Sequence, residues 1–77
     1  MDLIAAILEA CQNGNRKTRI MYSAHINPRD VQGIMNFLVE KGLLYTEYDD
    51  QNHRTYKTTS KGTKFLDSYG EILKVLG

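Results

Sequence analysis

Apolar residues along this chain fall into blocks whose period changes twice. Leu3, Ile4, Ile7, Leu8 and Cys11 recur at three- and four-residue spacing, the signature of a helix with one buried face. Asp2 stands where it would cap that helix. Asn13-Gly14-Asn15 ends it, because all three residue types tolerate turn or left-handed backbone. A short second helix is predicted from Arg16 to Ser23, with Ile20 and Met21 inward.

Asn27-Pro28-Arg29-Asp30 marks the start of a third helix. Asn27 can accept from a free backbone amide, proline at the first helical position forfeits no hydrogen bond, and Asp30 can reach back. Val31, Ile34, Met35, Leu38 and Val39 then share one stripe, and Gly42 supplies the stop. Arg29, Gly33, Asn36 and Glu40 lie on the opposite face, with Gln32 at its margin.

Beyond Gly42 the pattern becomes rich in Tyr and Thr. Leu43–Tyr48 and Arg54–Thr58 read as strands joined by the polar turn Asp49–His53. Thr59 caps a last helix from Ser60 to about Leu76, with Phe65, Leu66, Tyr69, Ile72, Leu73 and Leu76 on its apolar side. Gly62 and Gly70 each weaken it by about 1 kcal/mol relative to alanine. Helix, helix, helix, hairpin, helix is an α+β, mainly α order: a winged helix-turn-helix with the hairpin as wing.

Seventy-seven residues, 42% of them hydrophobic, suit a single domain spanning 1–77 with a modest core. One cysteine excludes an internal disulfide, and no Cys/His cluster suggests a metal. No apolar run approaches the roughly 18 residues of a membrane span. Asp2 and the lack of an early cationic segment argue against a signal peptide. A cytoplasmic location is expected. There is no GxSxG, Walker-type or HExxH motif, so no enzyme, cofactor or small-molecule ligand is expected.

Net charge is only +1, but it is segregated. Residues 11–29 hold Arg16, Lys17, Arg19 and Arg29 with no acid, and residues 51–66 hold Arg54, Lys57, Lys61 and Lys64 with no acid. A nearly neutral body can thus present a cationic face. Arg16, Lys17, Arg19, Arg54 and Lys57 are candidates for phosphate contact, and a solvated turn and hairpin would carry the same residues. Arg29 is a candidate to reach guanine, and Gln32 or Asn36 to reach adenine; ordinary exposed polar positions on a core helix would carry the same residues. The aspartates Asp49 and Asp50 would repel phosphate unless the wing tip turns away. Tyr22, Tyr45, Tyr48 and Tyr56 are expected mainly as packing, Cys11 as core, and His25 as a paired turn histidine.

Gly62, Leu66, Tyr69, Leu73 and Leu76 follow the alternating steps of a coiled-coil seam. This helix offers more apolar surface than so short a chain can hide, which predicts a homodimer.

KTRIMY at Lys17–Tyr22, VEKGLL at Val39–Leu44 and YKTTSKGTKFL at Tyr56–Leu66 resemble the archaeal winged-helix transcriptional-regulator family, over about residues 3–76. The first string is the more specific; the other two recur in many winged helices. The resemblance implies a double-stranded DNA-binding homodimer paired through its C-terminal helix, here through Tyr69, Ile72, Leu73 and Leu76. It places Lys17, Thr18 and Arg19 in the basic lead-in on the DNA backbone, and Arg29, Gln32 and Asn36 on the base-reading face. Transcriptional regulation or chromosome organisation would follow. A protein-interaction module and an RNA-binding winged domain remain as alternatives.

Overall fold

The computed structural model describes residues 2–76. Its elements follow the order α1 (Asp2–Ala10), α2 (Lys17–Ser23), α3 (Pro28–Glu40), β1 (Leu44–Tyr48), β2 (Arg54–Thr58) and α4 (Ser60–Leu76). The capping role expected of Asp2 concerns a side chain outside those described. The boundaries differ from the sequence expectation by one residue at two places. Arg16 is the extended residue before α2 rather than its first helical one, and Leu43 closes the α3 turn instead of opening β1.

α3 starts and stops by local chemistry. The Asn27 Oδ1 accepts from the Arg29 amide at 2.9 Å, and Pro28 occupies the first helical position. Asp30 makes no return bond among the described residues; its backbone amide donates to the Asn27 carbonyl at 2.9 Å instead. At the other end Gly42 adopts φ +76°, and the Leu43 amide donates to the Leu38 carbonyl at 2.9 Å. That reversal is nearly free for glycine and satisfies a carbonyl the helix would otherwise leave open.

β1 and β2 pair antiparallel, with Leu44 opposite Thr58 and Tyr48 opposite Arg54. Asn15 adds a bridge to Tyr56 on the far side of β2, through bonds of 3.0 and 2.8 Å. The wing is thereby tied to the α1–α2 turn. Ile7, Leu8, Cys11, Ile20, Val31, Met35, Leu38, Leu44 and Tyr56 form the buried core between these elements. Burial pushes the Cys11 thiol up to about 12, which keeps it protonated and inert. Val39, expected on the inner stripe, sits at its exposed edge.

α4 begins where Thr59 caps it, its Oγ1 accepting from the Gly62 amide at 3.0 Å and donating to the Gly42 carbonyl at 2.6 Å. Lys61 adds a bond from Nζ to the Lys41 carbonyl at 2.8 Å, placing a cation on the C-terminal end of α3. Gly62 is buried where a Cβ would meet the Leu43 carbonyl oxygen at 2.5 Å and the Thr58 Cγ2 at 2.6 Å. It belongs to the crossing of α4 over the hairpin base, so the coiled-coil seam expected to begin there cannot include it. Phe65 and Leu66 pack on the core, and Phe65 stacks on Tyr69 with centroids 6.4 Å apart. Ile72, Leu73, Val75 and Leu76 are all exposed, the last two by 85% and 78%.

Candidate nucleic-acid interface

Three elements meet beside the exposed face of α3. The extended backbone at Arg16 turns Lys17 and Thr18 toward that face at the start of α2. Lys17 Nζ donates to the Gln32 Oε1 at 3.0 Å. Gln32 in turn donates from Nε2 to the Asn36 Oδ1 at 2.9 Å and, more weakly, to the Tyr56 hydroxyl at 3.5 Å. The wing reaches the same place because Arg54 lies 5.7 Å above the Tyr56 ring, a contact that holds a guanidinium on an aromatic face.

The result is an open groove of about 270 Å³ lined by Arg16, Lys17, Thr18, Gln32, His53, Arg54 and Tyr56. Among the described residues no carboxylate lines it. Cations separated by more than thirty residues of sequence thus share one concavity with the exposed edge of α3.

Two expected members lie elsewhere. Successive side chains of a strand point to opposite faces, so Lys57 leaves β2 away from Arg54 and Tyr56, opposite Tyr45. Arg19 lines a second, larger groove of about 680 Å³ that adjoins the first through Arg16 and Thr18 and brings in the carboxylates Glu47 and Asp49. Arg29 and Asn36 stand exposed along α3, seven residues apart, with Gly33 bare between them.

Arg16 is not a free cation. Its Nε and Nη2 donate to the Asp49 Oδ2 at 3.1 and 2.9 Å, and its Nη2 donates to the Gln51 Oε1 at 2.8 Å. The other Asp49 oxygen accepts from the Gln51 and His53 amides at 2.9 and 2.8 Å. The wing tip is therefore clasped to the start of α2, and the repulsion expected of Asp49 is met by Arg16 rather than by a turned-away loop. Nothing in the sequence pairs residues 16 and 49; the clasp is visible only once the fold brings them together.

The His53 amide, opposed by partial desolvation and helped by Arg16, holds the Asp49 carboxyl below the usual carboxylate range. A depressed pKa means the clasp is intact at neutral pH and is lost as the pH falls through the folded value. In an acid titration followed by NMR, the Gln51 and His53 amide resonances should move together only below about pH 4. Movement already at higher pH would contradict this assignment to Asp49.

Several other expectations are corrected. His25 adopts φ 56° in the α2–α3 turn, and its exposed imidazole has no partner among the described residues. Tyr22 and Tyr48 are 71% and 66% exposed, and Tyr45 is exposed as well, so of the four tyrosines only Tyr56 is buried.

Comparison with known proteins agrees with this architecture. Sso10a-2, a DNA-binding protein from Sulfolobus solfataricus, superposes with a TM-score of 0.81 at 27% identity, over 96% of this chain and 77% of its own. MepR, a transcription regulator of the Staphylococcus aureus multidrug efflux pump MepA, superposes with a TM-score of 0.85 at 19% identity. There the match covers 99% of this chain but 59% of MepR, and at that identity it speaks for the fold alone. The uncharacterized protein MJ0287 of Methanocaldococcus jannaschii is 28% identical over 76 residues, 97% of this chain and 73% of its own length. A helix-turn-helix made of α2 and α3, a β1–β2 wing and a family match over residues 1–77 lead to one conclusion: this chain belongs to the winged helix-turn-helix family.

Proposed function

We propose that this chain is a double-stranded DNA-binding protein acting as a homodimer, in transcriptional regulation or chromosome organisation. The observation that carries this reading is the groove, lined by no carboxylate among the described residues, in which Lys17 and Arg54 flank Gln32 of α3. A phosphate backbone crossing it would meet cations from two elements at once, while α3 enters the major groove. Lys17, Thr18 and Arg54 take the backbone; Arg29, Gln32 and Asn36 face the bases. Arg16 serves the wing, and Arg19 and Lys57 lie outside the cradle. Support also comes from Sso10a-2, which is described as DNA-binding.

Titration of a mixed-sequence duplex at several salt concentrations tests the reading. Displacement of condensed counterions predicts that log affinity falls steeply and linearly with log salt. A flat response would exclude phosphate-driven capture, and preferential binding of duplex RNA in direct competition would redirect the assignment. The homodimer is supported by the exposed Ile72, Leu73, Val75 and Leu76 at the end of α4. Mass measurement in solution at micromolar concentration should return two chains; a single chain would remove a model with recognition helices roughly 34 Å apart.

A further inference from the structure

The exposed face of α3 hydrogen-bonds in one direction only. The Gln32 Oε1 accepts from Lys17, and the Asn36 Oδ1 accepts from the Gln32 Nε2. Both carboxamide oxygens of the face are therefore turned toward protein donors. The Asn36 amide nitrogen and the Arg29 guanidinium, by contrast, meet no acceptor among the described residues. Asp30 lies about 100° around the helix from Arg29, and Glu40 follows Asn36 by one turn at the C-terminal end of α3, roughly 16 Å from Arg29. Gly33, with nothing near the position of a Cβ, leaves the space between Arg29 and Asn36 open. From Arg29 to Asn36, the N-terminal two turns of the face, the surface offered to a groove is a row of donors.

An unrestrained asparagine pairs with adenine because it supplies a donor to N7 and an acceptor to N6; guanine instead presents two acceptors, N7 and O6. Building on the duplex-binding reading above, we propose that Gln32 is a positioning residue that fixes the Asn36 carboxamide with its nitrogen outward, so that α3 selects guanine over adenine. Arg29 supplies the matching donor fork. Seven residues separate the two, or roughly 10 Å along the axis and about three base-pair steps. Lys17 gives the arrangement its anchor, linking the phosphate-facing cation through Gln32 to the base-facing Asn36 amide.

The test is selection from a duplex pool with a randomised centre, using the full chain and its Gln32→Ala and Asn36→Ala variants, each checked for unchanged far-ultraviolet circular dichroism. The unsubstituted chain should enrich guanine at a position whose preference Asn36→Ala abolishes. Gln32→Ala should admit adenine at that same position, because the Asn36 oxygen is then free to accept; a purely structural loss would weaken all sequences alike. Replacing that guanine by 7-deazaguanine, with the protein unaltered, should lower affinity roughly ten-fold. Enrichment of adenine by the unsubstituted chain, or an unchanged guanine preference in Gln32→Ala, would overturn the proposal. Binding of the pool without enrichment would overturn it while leaving duplex binding intact; failure to bind the pool would remove both.

Discussion

Replacing Gly62 by alanine is expected to lower the melting temperature by on the order of 10 °C, whereas the same change at Gly70 should raise it slightly. Both glycines sit in one helix and carry the same propensity penalty, so propensity alone predicts a gain of about 1 kcal/mol at each. The surroundings separate them. A Cβ at Gly62 would lie 2.5 Å from a backbone oxygen and 2.6 Å from the methyl of Thr58. Neither can yield easily. The Leu43 carbonyl already accepts from the Thr59 amide at 3.0 Å, and Thr58 is fixed by its own 2.6 Å bond to the Leu8 carbonyl. Overpacking of that kind costs about 1–3 kcal/mol or more, and in a chain of this size each kcal/mol moves the midpoint by roughly 4–8 °C. At Gly70 nothing lies within 4 Å of the Cβ position, so the helix gain stands. Thermal melts of both variants at one protein concentration check this. Equal and favourable shifts would mean that α4 does not cross the hairpin base as described.

The second large effect concerns the end of α4. Leu73→Asp with Leu76→Asp should leave the chain folded but monomeric at micromolar concentration, since both side chains are exposed in the single chain. Affinity for a duplex carrying two sites one helical turn apart should fall at least about 100-fold, the scale on which bivalent attachment multiplies affinity. Affinity for a short duplex with room for one domain should hardly change. Mass measurement together with two titrations separates the outcomes. A double variant that remains a dimer would place the contact elsewhere on the molecule.

What was legible in the sequence follows the range of the chemistry. Asn27, Pro28 and Gly42 act on residues within a turn of themselves, so the limits of α3 could be read directly. The Thr59 cap was readable for the same reason. Gly62 looked like a weak helix position because its reason lies in Leu43 and Thr58, packed across a helix-to-hairpin crossing. Arg16 looked like a free cation because Asp49 is 33 residues away. The separation of Arg54 from Lys57 was carried by the two-residue period of β2, a signal overshadowed by their shared charge. Tyr22 and Tyr48 were expected as packing from residue type alone, and type does not say which side of a helix or strand faces water.

The most direct test of the cationic cradle compares two double variants with identical charge change: Lys17→Ala with Arg54→Ala, and Arg19→Ala with Lys57→Ala. Each should be titrated with one duplex across a salt series. The first pair should reduce the slope of log affinity against log salt by about two per bound chain, and the second should leave it close to that of the unsubstituted chain. Equal reductions in both pairs would contradict the account, because capture would then depend on total charge and not on the groove that joins α2, α3 and the wing.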